Sequence, residues 1–184
     1  IEDQGKLTEE LRQQIQAAET QVTVEDLYRP YRPKRRTRAT IAKEKGLEPL
    51  AAFIMLQNAK EPLEHTAQQY VSEEKDVKSA ADAIAGVKDI IAESISDNAD
   101  YRSWIRKTTM KKGKVTSAAK DPEAESVYEM YYEFEEPVSK LAGHRILALN
   151  RGEKEKFLTV KVEAPEEDIL RYLEKKTIHK DNPY

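Results

Sequence analysis

The sequence contains no cysteine. That removes disulfide scaffolds, thiolate zinc sites and cysteine nucleophiles together, and it suits a reducing compartment. No run approaches the roughly 18 apolar residues that a bilayer span requires, and no basic-then-apolar leader is visible. Histidine is scarce: His65, His144 and His179 are far apart, and none pairs at the four-residue spacing of a metal-binding helix. There is no Gly-x-Ser-x-Gly elbow, phosphate loop or dinucleotide fingerprint. The most acidic stretch lacks the spacing of a calcium loop. These absences predict a chain with no catalytic residues, metal, cofactor, small-molecule substrate or membrane partner.

What remains is a highly charged helical composition. At 184 residues, 35% charged and 39% hydrophobic, the chain is long enough for one cored domain, or for a domain with a smaller lobe. Nine tyrosines among the aromatics argue against disorder. A start at Ile1 in a polar stretch reads as a piece of a longer chain. The net charge of −3 hides strong segregation. Residues 29–45 hold eight cations and one acid, residues 102–120 seven cations and no acid, and residues 121–136 seven acids and no cation. Such blocks speak to partners more than the overall charge does.

Thr8 with Glu9 and Glu10 predicts a capped first helix. The prolines in Tyr28-Arg29-Pro30-Tyr31-Arg32-Pro33 predict an extended run near polyproline II. Thr37 reads as the cap of a short helix ending at Gly46, followed by helices opening at Leu47 and Pro62. An apolar stripe predicts a long helix from Asp76 to about Ser96, and another helix follows over Tyr101 to Met110. Residues 141–151 read as helical with Gly152 as the stop, residues 157–163 alternate as a strand, and Pro165 opens a last helix. The expected fold is mostly α, a multi-helix domain with a minor β element near residues 157–163. Its expected division is a helical region at 1–136 and a helix-strand-helix segment at 137–184.

The basic Pro-Tyr run carries the sharpest chemistry. Arg29, Arg32, Lys34, Arg35, Arg36 and Arg38 offer phosphate contacts, and Tyr28 and Tyr31 offer stacking faces. Lys34, Arg35 and Arg36 crowd the start of the Thr37 helix, where the dipole is already positive, so an anion is expected among them. A phosphate meets that need; so do carboxylates from elsewhere in the chain. Six phosphate contacts would give a slope of log K against log salt of about −5, and internal neutralisation a slope near zero. Lys111, Lys112 and Lys114, near Trp104 and Lys107, form a second candidate patch that the following acids are placed to neutralise. Tyr128, Tyr131 and Tyr132 among those acids suggest either core or a protein-docking surface. Arg145 and Arg151 complete the candidate contacts, on a helix expected to pack through Ile146, Leu147 and Leu149.

The run Glu25-Asp26-Leu27-Tyr28-Arg29-Pro30-Tyr31-Arg32-Pro33-Lys34-Arg35-Arg36-Thr37-Arg38-Ala39-Thr40-Ile41-Ala42, continuing through Gly46-Leu47-Glu48-Pro49-Leu50, closely resembles the signature of the Tex family. Ala85-Gly86-Val87-Lys88-Asp89-Ile90-Ile91 and His144-Arg145-Ile146-Leu147-Ala148-Leu149-Asn150-Arg151-Gly152-Glu153 match in the family's order. The resemblance implies the N-terminal helical part of a cytoplasmic bacterial transcription accessory protein, similar in architecture to a eukaryotic elongation factor. It further implies RNA or single-stranded DNA and the transcription machinery as partners. In the family, an RNase-H-like YqgF domain, a helix-hairpin-helix module and an OB-fold RNA-binding domain follow; none appears in this sequence. The residues left two roles open: a nucleic-acid-associated module, or a scaffold arm that positions other domains and binds proteins.

Overall fold

The computed structural model describes residues 1–179 and 181–184. The described residues form nine α-helices and one three-stranded sheet, so the protein is mostly α with a minor β part. The chain divides into two compact units, Ile1–Ser103 with Leu173–Tyr184, and Trp104–Tyr172. The expected boundary after residue 136 lies inside the second unit, where residues 114–119 pair with 133–137 and 158–163.

In the first unit, α1 (Glu9–Gln16), α2 (Gln21–Tyr28), α3 (Arg38–Glu44), α4 (Glu48–Met55) and α5 (Leu63–Gln68) precede the long α6 (Ala80–Asp97). The predicted caps hold: the Thr8 and Thr37 hydroxyls accept from the Leu11 and Thr40 amides, and Gly46 adopts a left-handed φ of 76°. α6 begins at Ala80 rather than Asp76. Asp76 is itself left-handed, Val77 bridges back to Ser72, and Ser79 supplies the cap by accepting from the Asp82 amide. α3, α4 and α5 all pack on α6, around a core that includes Ala42, Leu47, Leu50, Ala67, Val77 and Val87. Leu47, Leu50, Val77 and Val87 are fully buried, each contributing about 1.5–3 kcal/mol by leaving water.

In the second unit, the end of α7 (Ala99–Lys112) leads into β1 (Lys114–Ala119), the centre of an antiparallel sheet ordered β2-β1-β3. β2 is Glu133–Pro137 and β3 is Leu158–Glu163, and Ser117 of β1 stands opposite Phe134 and Val160. One strand was expected; of the other two, β2 has no β-branched residue and β1 runs out into Ser117-Ala118-Ala119, so pairing decides them. α8 (Gly143–Lys154) covers the core of Val115, Tyr128, Tyr131, Leu149 and Leu158. Of the three residues expected to pack α8, Leu149 is buried, whereas Ile146 and Leu147 are exposed. The last helix, α9 (Glu166–Thr177), opens after Pro165 with three acids in its first turn, as expected.

Gly152 does not stop α8; it is buried inside it. The helix ends two residues later at Lys154, after which Lys156 turns left-handed and the Lys156 and Phe157 amides donate to the Glu153 and Gly152 carbonyls. A Cβ on Gly152 would lie 2.5 Å from Leu158 Cδ1 and 2.9 Å from Leu158 Cγ. Ala in place of Gly favours a helix by about 1 kcal/mol, but a Cβ forced against the buried Leu158 costs about 1–3 kcal/mol. Gly152→Ala is therefore expected to lower the melting temperature by a few degrees, measured by circular dichroism; a rise would show that Leu158 repacks freely.

Candidate nucleic-acid interface

The basic Pro-Tyr run belongs to the first unit. Contrary to the extended expectation, Arg29–Tyr31 close a 3-10 turn directly after α2. Pro30 sits in that first turn, where its missing N–H is no loss. The chain extends only from Arg32, whose φ and ψ of −65° and 133° suit the residue before Pro33. The segment then runs to Thr37 and into α3.

Opposite it stands the C-terminal end of α6. Together they line an open groove of about 670 Å³ that includes Arg29, Arg32, Lys34, Arg35, Glu93 and Asp97. The last turn of α6 carries no basic residue, although cations belong at that end of a helix dipole. The basic run supplies them. Arg29 Nε donates to Asp97 Oδ1 at 2.9 Å, and Lys34 donates to Asp97 Oδ2. Lys34 Nζ also lies 3.5 Å from Glu93, and the Thr37 hydroxyl donates to Glu93 at 3.0 Å. Asp97 is 7% exposed, so its charge is compensated inside the fold. Nearby, the buried Asp26 accepts from Arg102 Nε at 2.8 Å, and Arg102 also reaches the Ser96 carbonyl.

The expected anion among the cations ahead of Thr37 is thus, in part, a carboxylate of this chain. Thr37 itself caps α3, and Glu93 anchors Thr37. Arg36 pairs with Glu44 at 2.8 Å and Arg38 with Asp89 at 3.4 Å, both with highly exposed guanidinium groups. Such pairs are weak and exchangeable. Arg32 and Arg35 are exposed and have no ion-pair partner among the described residues. Tyr31 is half-buried, and its carbonyl accepts from Gln4.

The remaining candidates belong to the second unit. Lys112 donates to Asp168 at 2.7 Å, Lys114 to Glu135 at 2.6 Å, and Arg145 to Glu136 at 2.7 Å while lying over the Phe134 ring. Lys111 is exposed, with no partner among the described residues. Of the second basic patch, the acidic block holds Lys114 alone among the described ion pairs, through Glu135; Lys112 is taken up by Asp168, outside that block. Trp104 stacks on Tyr172 with ring centroids 3.8 Å apart, so one of its faces is already covered.

The docking surface considered for Tyr128, Tyr131 and Tyr132 does not exist. Tyr128 and Tyr131 are buried, and Tyr132 donates its hydroxyl to the Ala124 carbonyl. Burial pushes the Tyr128 phenol above its ordinary pKa, and its hydrogen bond to Glu155 adds to the rise, while the charge of Arg151 acts the other way. Among the described residues no three His, Asp or Glu side chains gather where a metal would bind, and no helix is long and apolar enough to cross a membrane. Asp97 and Glu93 escaped the sequence reading. Their signal was two acids near the end of a long helix whose last turn holds no cation.

Removing the Thr37 cap by Thr37→Ala is expected to cost about 1 kcal/mol, read from denaturant unfolding; an unchanged midpoint would mean that Glu93 and Lys34 hold the helix start without it. In the other unit, Lys112 holds the Asp168 carboxyl below its usual value, first by its hydrogen bond and then by its charge. A lowered carboxylate stabilises the fold above the unfolded pKa of about 3.9 and loses that contribution as pH falls through the lower folded value. Lys112→Ala should return Asp168 towards the ordinary carboxylate range in a carboxyl-carbon NMR titration. An unshifted titration would rule Lys112 out as the cause.

Residues 57–181 match the family model described as Tex central region-like. The protein YdcI of Bacillus subtilis is 51% identical over 181 residues, covering 97% of this chain and 25% of that protein. Protein tex of Bordetella pertussis is 43% identical over 171 residues, covering 88% of this chain and 21% of that protein. The transcriptional accessory protein Tex of Neisseria gonorrhoeae is 36% identical over 171 residues, covering 91% and 22%. The chain thus spans about a quarter or less of the length of these relatives. With a family match over more than half its residues, which takes in the motifs at 85–91 and 144–153, the chain belongs to the Tex central region-like family.

Proposed function

We propose that this chain is a non-catalytic helical section of a cytoplasmic transcription accessory protein, working alongside RNA or single-stranded DNA and the transcription machinery. Arg32 and Arg35 are its own phosphate contacts. The observation that carries this reading is the pair itself: two exposed guanidinium groups on one groove, without carboxylate partners among the described residues. The name of the Neisseria relative, a transcriptional accessory protein, supports the transcriptional setting. Arg36 and Arg38 are auxiliary contacts, since their exposed carboxylate pairs exchange readily for phosphate.

A second reading, a purely structural arm, draws support from Arg29 and Lys34, whose charges are taken up by Asp97 and Glu93. Salt titration separates the two. On a single strand each phosphate contact contributes about −0.7 to the slope of log K against log salt. Two contacts give about −1.4, and recruitment of Arg36 and Arg38 about −2.8. Fluorescence anisotropy of labelled single-stranded oligonucleotides with the 184-residue chain is expected to fall in that interval. Absence of binding at about 50 mM salt would leave the structural arm, and strand cleavage during the titration would contradict the non-catalytic assignment.

A further inference from the structure

We propose that Asp97 and Glu93 are built-in counter-ions of the groove, competing with a bound single-stranded phosphodiester and so setting how tightly this chain holds it. The inference rests on the proposed association with nucleic acid and adds the element that limits it.

Glu93 and Asp97 stand four residues apart on α6, hence on one face of the helix. Both line the groove beside Arg32 and Arg35. Asp97 holds Arg29 and Lys34 at once, and Glu93 holds Lys34 and the Thr37 hydroxyl. The groove's four cations are thereby reduced to a surplus of two, carried by Arg32 and Arg35. The negative end of the α6 dipole lies at the same place and opposes an incoming anion further.

The pairs are not sealed. The side chain of Arg29 is 45% exposed and that of Lys34 27% exposed, so a ligand can reach the cations that the carboxylates now occupy. A phosphate competes well there, because arginine binds its oxygens bidentately. The shape selects the strand: a duplex presents its phosphates on a convex surface, whereas an unpaired strand can thread a concave groove. Removing either carboxylate therefore releases one further positive charge to the ligand. An added contact of slope −0.7 corresponds to about eightfold tighter binding at 50 mM salt relative to a 1 M reference.

The test compares the unaltered chain with Asp97→Asn, Glu93→Gln and Arg32→Ala/Arg35→Ala, using labelled oligouridylate, its duplex with oligoadenylate, and polyglutamate as probes. Each carboxylate variant is expected to bind oligouridylate about eightfold tighter at 50 mM salt, with the slope steepening from about −1.4 to about −2.1. The double arginine variant is expected to lose binding. Helical circular dichroism reports folding. Should Asp97→Asn unfold the chain, Glu93→Gln decides, since Asp97 stays to anchor Arg29 and Lys34 while its single charge leaves one of the two cations uncompensated. Affinity and slope unchanged in the folded carboxylate variants would overturn the counter-ion role while leaving the nucleic-acid reading intact. Polyglutamate or duplex binding as tight as oligouridylate would overturn the ligand class. No binding by any of the chains would overturn both this inference and the reading beneath it.

Discussion

The buried carboxylate of Asp97 organises one side of the first unit. α6 ends in acids where its dipole calls for cations, and the basic run precedes a helix whose start calls for anions. Each end is unfavourable alone. Together they satisfy one another across 68 residues for Arg29 and 63 for Lys34. Buried ion pairs add little net stability over apolar packing, yet loss of one partner strands the other charge. Their consequence here is register. With Glu93 fastened to Thr37, α3 starts at a fixed point along α6, and Ala39 and Ala42 meet the apolar stripe of Ala83 and Val87.

Local chemistry was legible in the sequence. Thr8, Thr37, Gly46 and Pro49 mark helix ends because a cap or a left-handed turn depends on residues only a few positions away. What escaped was chemistry whose partners are distant in the chain. β1 and β2 have little strand character of their own and exist because Ser117 meets Phe134 on one side and Val160 on the other. Gly152 reads as a helix stop until Leu158 is seen lying on it. Tyr128 and Tyr131 sit among acids in sequence but among Phe157, Phe134 and Leu149 in space. The cations of the candidate site were all visible, and the carboxylates that divide them into held and free were not. Within the basic run, Arg32 and Arg35 are the cations that have no ion-pair partner among the described residues.

Block charge is therefore a poor guide to valence in this chain. Residues 29–45 carry a surplus of seven positive charges in sequence, but Asp97, Glu93, Glu44, Asp89, Glu48 and Asp76 each lie within pairing distance of one of those cations. The second unit repeats the pattern at shorter range, with Lys114 on Glu135 and Arg145 on Glu136. Burial separates the held pairs from the exchangeable ones. Asp97 lies within the fold, whereas Arg36 and Glu44 meet in water, where a pair contributes about 0–1 kcal/mol and yields readily to another anion.

A site with two free arginines has a definite physical character. Counterion release from two phosphates gives weak binding that salt suppresses gently, unsuited to holding a strand alone. Such a contact gains weight when a stronger one is linked to it, because the second engagement is then intramolecular and its effective concentration can reach millimolar. The relatives are roughly four times the length of this chain or more, so a linked contact of that kind fits within a protein of their size. Under the proposed function, weak valence at the groove would be an advantage: a strand guided past Arg32 and Arg35 would be oriented without being trapped. The proposed counter-ions on α6 would keep it so, because Asp97 and Glu93 already pair with Arg29 and Lys34 and would reclaim them when a strand departs.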